Sequence, residues 1–265
     1  MTSDEIFHII NKDDWTSKKI TQQNEMNNWK WQVKNITDVA LAISDHFNWD
    51  ASSVVVDDKT KRRASVQAAY CDTAIDYHSM VRYCRKVLNW LSQKWPGNQY
   101  PYEKTTIFQG FSEMEYPMMV NLISYKDTIF SIGVSAHEIA HTYMPFYLGI
   151  NETQFGFMDE GWATTFDRLI SIDLFGKEKA DELFKKYRVD GWIHTKQSFH
   201  DYSSDTDLPI IALGNSLYGN IFNEYGKPSA AYLVLKDFLG DELFKKCLHE
   251  YMNRWHGKHP IPWDF

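Results

Sequence analysis

The sequence lacks a run of apolar residues long enough to cross a lipid bilayer, which takes about 20 residues in a helix. Its N-terminus, Met-Thr-Ser-Asp-Glu, also lacks the basic and apolar segments of a signal peptide. A soluble protein is therefore expected, and no compartment is indicated. Basic residues are the minority, with 28 Lys and Arg against 35 Asp and Glu. A nucleic-acid partner, which requires concentrated positive charge, is not expected.

Cysteine is scarce as well. The three cysteines, Cys71, Cys84 and Cys247, cannot all pair, and none belongs to a C-x-x-C motif. Buried thiols are the favoured interpretation, with a Cys71–Cys84 disulfide as the alternative. No linker rich in Pro, Gly or Ser divides the chain. We therefore predict a lead-in segment over residues 1–30 and one domain over residues 31–265.

The order of the predicted elements indicates the fold class. Strand patterns come first, at Ser53–Val56, Ser65–Tyr70, Thr105–Phe108 and Met118–Ser124. The apolar pattern of Ile36–Ile43 predicts a short helix that begins near Thr37 or Asp38, and a long helix is predicted from an Asp72 cap to about Trp95. Five later helices are predicted at Asp127–Met144, Met158–Leu174, Lys177–Lys196, Ser229–Leu239 and Asp241–Trp255. This order predicts an α+β fold in which a mixed sheet lobe is followed by a helical lobe.

The chemistry is concentrated in the pentapeptide His137-Glu138-Ile139-Ala140-His141, within a predicted helix. A spacing of four residues places both imidazoles on one helix face, where they can bind one zinc ion. Glu138 is one position further round, where it can take a proton from a water that the metal activates. A helix that merely exposes two histidines is the alternative for the pentapeptide taken alone.

A third ligand is expected on the next helix. Glu160 follows His141 after eighteen residues (142–159), and a turn between them allows the second helix to pack against the first. A catalytic zinc site needs three protein ligands and one open position, which His137, His141 and Glu160 would provide. Asp167 lies on the Glu160 face and could accept a hydrogen bond from a ligand histidine. A solvated carboxylate is the alternative for Asp167.

This pattern resembles the gluzincin zinc aminopeptidases, the family of alanyl aminopeptidase and leukotriene hydrolase. The likeness rests on H-E-x-x-H, eighteen residues and Glu-Gly, on Ser112-Glu-Met-Glu-Tyr upstream, and on Tyr225-Gly-Lys-Pro downstream. Departures from the family pattern are Glu113, Tyr116, Asp159 and Pro228. The resemblance implies a thermolysin-like catalytic domain with one zinc ion and a peptide substrate.

The resemblance also implies two substrate contacts. Glu115 would bind the free α-amine of the peptide, on a strand edge with Met114 that pairs with the substrate backbone. Glu113 is a departure from the family pattern, and strand alternation would bring its carboxylate to the same face as that of Glu115. Tyr225 would donate a hydrogen bond to the developing oxyanion, with Tyr218 and Tyr232 as the competing candidates.

Three functions follow from these expectations. An aminopeptidase is favoured. The alternatives are a zinc endopeptidase with an open cleft and a scaffold that binds zinc without turnover. Members of the family that the chain resembles carry a β-domain before this region and a helical domain after it, so the resemblance implies further domains of a longer parent chain as partners.

Overall fold

The computed structural model describes residues 7–9, 31–185 and 222–265. Its strands are β1 (Phe7–Ile9), β2 (Asn48–Asp57), β3 (Arg62–Tyr70), β4 (Lys104–Gln109), β5 (Met114–Tyr116) and β6 (Met119–Leu122). Its α-helices are α1 (Met80–Gln93), α2 (Thr128–Ala140), α3 (Glu160–Phe175), α4 (Lys177–Phe184), α5 (Lys227–Leu239) and α6 (Asp241–Trp255). The predicted lead-in segment lies almost entirely outside the described residues.

The strands form one mixed sheet in the order β1-β2-β3-β4-β6-β5. β1, β2 and β3 are antiparallel neighbours, β3, β4 and β6 run parallel, and β5 returns antiparallel to β6. The sheet belongs to a compact unit made of Met1–Lys86 and Tyr102–Ser135. The predicted strands correspond to β2, β3, β4 and β6, and the α+β class is confirmed.

The predicted helix over Ile36–Ile43 is wrong. Residues 31–47, all of them described, contain no helix. Val39 and Ile43 are 63% and 90% exposed. An isolated helix this short is unstable in water unless its apolar face packs on another element, and within the described part of the chain these side chains are exposed.

The helix expected from Asp72 begins later. A 3-10 turn at Ile75–Ser79 precedes α1, which starts at Met80. The Asp72 carboxylate accepts a hydrogen bond from Asn48 Nδ2 at 3.3 Å. Asp72 lies in a turn eight residues before Met80, so its side chain cannot reach the first N–H groups of α1, which a helix cap must contact.

Asp76, buried next to α1, fixes the start of α2. Its carboxylate accepts hydrogen bonds from Ser124 Oγ at 2.5 Å, Ser131 Oγ at 2.7 Å and the Tyr125 N–H at 2.9 Å. Asp127 then caps α2 by accepting bonds from the N–H groups of residues 129 and 130. The helix that carries the H-E-x-x-H motif therefore starts from a fully bonded, buried anchor.

A second compact unit contains Val87–Pro101 and Ala136–Phe265. Its core is aromatic: Trp162 is 2% exposed and stacks on Tyr232 with ring centroids 4.1 Å apart. The C-terminal Phe265 packs edge-on against Trp162, Tyr232 and Tyr251. Aromatic rings bury large apolar areas, so this cluster ties α3, α5, α6 and the C-terminus together.

The predicted helices of this unit correspond to α3, α4, α5 and α6. α6 has the predicted bounds, α5 starts two residues early at Lys227, and α4 ends at Phe184. Residues 186–196 of the helix predicted over Lys177–Lys196 lie outside the described residues. Among the helices that the structure describes, none has both the length and the apolar character needed to cross a membrane.

The three cysteines, all described, are free thiols. The buried-thiol interpretation holds for Cys84, whereas Cys71 is partly exposed and Cys247 is exposed. The disulfide between Cys71 and Cys84 is absent. Burial raises the pKa of the Cys84 thiol to about 12, against the opposing effect of its hydrogen bond with Ser135.

Cys84 should therefore resist alkylation in the folded protein. At pH 8 a thiol of pKa near 12 holds about a thousandfold less thiolate, the reactive form, than an ordinary cysteine. We expect a maleimide to label Cys247 and Cys71 in native protein, and all three cysteines after denaturation. Mass spectrometry of the labelled peptides measures this, and prompt labelling of Cys84 in folded protein would contradict the burial.

Candidate metal centre

His137 in α2 and His141, directly after α2, form the first part of the site. α2 ends at Ala140, earlier than the predicted Met144, and a π-helical segment, Thr142–Tyr147, follows. His141 keeps helical backbone angles, with φ −57° and ψ −18°. His137 and His141 therefore lie one turn apart, with ring centroids separated by 4.9 Å. Both are buried, at 5% and 0% exposure.

Glu160, the first residue of α3, completes a three-ligand group. Its Oε2 lies 3.0 Å from His137 Nε2 and 3.4 Å from His141 Nε2. One ligand atom from each of the three residues falls within 4.8 Å of the others. The structure thus brings together the three residues that the sequence singles out as ligands.

This donor set fits zinc. Ligand atoms about 2.1 Å from a tetrahedral zinc ion lie about 3.4 Å from one another. The two nitrogen-to-oxygen distances of 3.0 and 3.4 Å agree with that spacing. Two imidazoles and one carboxylate are also the ligand types of catalytic zinc sites that keep a fourth position open.

Each histidine has a carboxylate on its other nitrogen. Asp167 Oδ2 lies 3.1 Å from His137 Nδ1, and Asp159 Oδ1 lies 2.6 Å from His141 Nδ1. An ionised carboxylate can only accept a hydrogen bond, so Nδ1 carries the proton in both rings. Nε2 is then the atom of each ring that can bind a metal.

Asp159 as a histidine partner is absent from the sequence predictions. Its position directly before the ligand Glu160, at the end of a turn, is a signal that could have identified it. Asp167 was identified because helical spacing places it on the Glu160 face. The contact of Asp159 with His141 depends on the path of the chain through the 3-10 turn Gly156–Met158 into α3. The spacing of residues in the sequence does not specify that path.

Charges in the group reinforce one another. Burial disfavours the imidazolium form of His137, but its bonds to Asp167 and Glu160 outweigh burial and raise its pKa to about 9. Burial likewise opposes ionisation of Glu160, yet His141 and His137 lower the pKa of its carboxyl well below the usual range. A metal ion at Nε2 would displace the proton of His137, so metal binding should release protons.

Glu138 is next to this group. Its side chain is buried at 7% exposure, and one of its carboxylate oxygens lies within 4.8 Å of a ring nitrogen of His141. A carboxylate this close to the ligand set has the proximity that a general base requires.

Tyr225 reaches the same group from the segment before α5. Its hydroxyl donates a hydrogen bond to Glu160 Oε1 at 2.7 Å. Its ring lies parallel to that of His137, with a 9° angle between planes and centroids 6.1 Å apart. Tyr232 is engaged elsewhere, because its hydroxyl donates to the carbonyl of Phe157 at 3.1 Å. Tyr218 lies outside the described residues.

Small residues allow α5 to approach α3 and deliver Tyr225. A Cβ on Gly161 would lie 2.8 Å from the ring carbons of Pro228, closer than carbon atoms can approach without displacement. One turn further along α3, Thr165 Oγ1 is 3.1 Å from Ser229 Oγ. The glycine after Glu160 is therefore required by packing, since a larger residue there would push away the segment that carries Tyr225.

The model of the peptidase family M1 domain matches residues 114–265, more than half of the chain. The chain belongs to peptidase family M1. No curated protein matches it by sequence. The fold is that of solved M1 structures.

An M1 zinc metallopeptidase from Deinococcus radiodurans is 14% identical, with a TM-score of 0.55 over 81% of this chain and 46% of that one. A two-domain M1 zinc metallopeptidase mutant bound to L-arginine gives the same figures. A mutant from Deinococcus radiodurans bound to a Tyr-Ser-Ala substrate is 16% identical, with a TM-score of 0.51 over 82% of this chain and 46% of that one. At these identities the likeness shows the fold, and the chain spans less than half the length of these proteins.

The M1 match begins at Met114, in the strand that the sequence predicts for substrate binding. β5 is the terminal strand of the described sheet, and Glu115 in its centre is buried at 8% exposure. Met114 is 39% exposed. Glu113 precedes β5, is exposed, and accepts a hydrogen bond from the Tyr125 hydroxyl. β5 begins directly after Glu113, so the alternation from which its shared face with Glu115 is predicted does not extend to it.

Proposed function

We propose that this M1 chain is the catalytic part of a zinc-dependent aminopeptidase, which hydrolyses N-terminal residues from peptides. The observation that carries the proposal is the cluster of His137, His141 and Glu160 around one point, with Tyr225 bonded to Glu160. A closed structural zinc site would need a fourth protein ligand and would have no use for Glu138 or Tyr225.

The residues divide the work between metal binding and proton transfer. His137, His141 and Glu160 hold the metal. A zinc ion held there supplies Lewis-acid chemistry: it polarises a carbonyl and makes water acidic near neutral pH. Glu138 accepts the proton of the attacking water, and afterwards can return it to the leaving amine.

Tyr225 stabilises the charge that develops on the carbonyl oxygen. Its hydroxyl donates a hydrogen bond of 2.7 Å to Glu160 Oε1, and its ring is parallel to the ring of His137. A phenol positioned before the reaction needs little reorganisation when the oxygen becomes negative, which is the basis of oxyanion stabilisation.

Glu115 is proposed to bind the free α-amine of the peptide, with Met114 on the same strand. Support comes from its burial and from its place in β5, whose outer edge could pair with an extended peptide. A buried carboxylate left without a cation is costly, so a substrate with a blocked N-terminus would bind poorly. This preference separates an aminopeptidase from an endopeptidase.

The test is hydrolysis of matched fluorogenic aminoacyl amides, free and N-acetylated, by zinc-loaded protein. We expect cleavage of the free amides only, and a loss of that preference in Glu115→Gln. The exposed neighbour offers a matched control, since Glu113→Gln should keep the preference. Equal cleavage of free and acetylated substrates would establish an endopeptidase instead, and no cleavage by zinc-bound protein would favour a scaffold.

A further inference from the structure

Asp159 occupies the N-cap position of α3 but makes no side-chain capping hydrogen bond. Aspartate is common at this position because its oxygen can accept a bond from the first N–H groups of the helix. Here Oδ1 instead contacts His141 Nδ1 at 2.6 Å. The Asp159 side chain therefore bonds to a histidine eighteen residues earlier in the chain and not to the backbone N–H groups of α3.

The contact is buried on both sides. The side chains of His141 and Asp159 are 1% and 4% exposed. An asparagine oxygen could accept the same hydrogen bond without placing a charge in the interior, which is costly unless the charge is compensated. A carboxylate adds negative charge beside the imidazole, makes Nε2 a stronger donor and favours a cation on that side of the ring.

The matching contact on the other histidine is weaker. Asp167 Oδ2 lies 3.1 Å from His137 Nδ1, and the Asp167 side chain is 16% exposed. Charge-assisted hydrogen bonds are stronger when short, and their electrostatic effect grows as water is excluded. The two carboxylates thus form an unequal pair, with the stronger support on His141.

We propose that Asp159 is a positioning residue, which orients His141 and sets how tightly the site holds its metal, with a larger effect than Asp167. The inference rests on the proposed zinc site. It concerns the strength of metal binding, so it can be tested without measuring peptide hydrolysis.

The experiment compares zinc affinity among isosteric variants of the full chain, by competition with a chromophoric chelator. Loss of such a partner typically costs about 10- to 100-fold in metal affinity. We expect Asp159→Asn to lose at least about 10-fold, and Asp159→Ala more, whereas Asp167→Asn loses less than Asp159→Asn. The visible absorption of the cobalt-substituted protein should also change in Asp159→Asn.

Asp173→Asn is the matched control. It makes the same change within α3, the helix that Asp159 precedes, but the Asp173 carboxylate accepts hydrogen bonds from Trp90 Nε1 and Lys94 Nζ and not from a histidine. Its zinc affinity and cobalt spectrum should equal those of the wild type.

Thermal unfolding of the metal-free proteins separates positioning from folding. If Asp159 were only structural, Asp159→Asn would lower the metal-free melting temperature and leave zinc affinity and the cobalt spectrum unchanged. That result, or a greater loss in Asp167→Asn than in Asp159→Asn, would overturn the inference while leaving the zinc site intact. A wild-type protein that binds no zinc would overturn both.

Discussion

Glu138→Gln should lower kcat for aminoacyl amide hydrolysis by about 10²- to 10⁴-fold, the usual contribution of a general base. The amide has the size of the carboxylate but cannot accept a proton from the attacking water. Glu138 is not one of the three proposed zinc ligands, so zinc affinity should stay near the wild-type value. Steady-state kinetics at saturating zinc, together with the metal content of the purified variant, measure both quantities.

An exposed carboxylate on another helix provides the control for this variant. Glu178, in α4, is solvent-exposed, so Glu178→Gln should have wild-type kcat and metal content. If Glu138→Gln retained kcat within a few-fold of the wild type while binding zinc, Glu138 could not be the base. If it lost zinc instead, its role would be to hold the site and not to move a proton.

The predicted metal group came from local geometry. Residues four apart on a helix lie on one face whatever the rest of the chain does, so His137 and His141 could be placed together from the sequence alone. Glu160 required one further assumption, that the chain after α2 turns back. Gly161 has no side chain, so Pro228 can pack closely against α3. The hydrogen bond between Thr165 and Ser229 then joins α3 to α5.

What the sequence missed depends on contacts distant along the chain. α1 starts late, after a 3-10 segment in which Asp76 accepts hydrogen bonds from Ser124 and Ser131. The partner of His141 follows from the route of the chain into α3, which leads Asp159 toward the histidine and away from capping. The periodicity of apolar residues along one helix or strand predicts neither contact, because each contact depends on the position of another part of the fold.

The same reasoning applies to the predictions made for β5 and for Ile36–Ile43. Glu113 and Glu115 alternate in sequence, but the strand begins between them at Met114, and Tyr125 engages the Glu113 carboxylate. The apolar spacing at Ile36–Ile43 resembles a helix face, but a helix of that length needs a surface to pack on. The pattern of apolar residues suggests where a helix or strand could form, and tertiary contacts decide whether that helix or strand is stable.

Tyr225→Phe should lower kcat by about 10²- to 10³-fold, the effect of removing one oxyanion donor. The phenylalanine ring can keep the parallel arrangement with His137, so KM should change little. The variant also removes the bond to Glu160 Oε1, and kinetics at saturating zinc exclude a loss caused by metal release.

Tyr232→Phe is the matched control, because it makes the same change at the competing tyrosine. Tyr232 donates its hydroxyl to the Phe157 carbonyl inside the core, so its removal should cost about 1 kcal/mol of the unfolding free energy and leave kcat unchanged. The two variants should therefore separate cleanly, with Tyr225→Phe impaired in turnover and Tyr232→Phe impaired in stability. A Tyr225→Phe protein with full kcat would remove the oxyanion role from Tyr225, and the donor would have to be sought among the other groups around the metal.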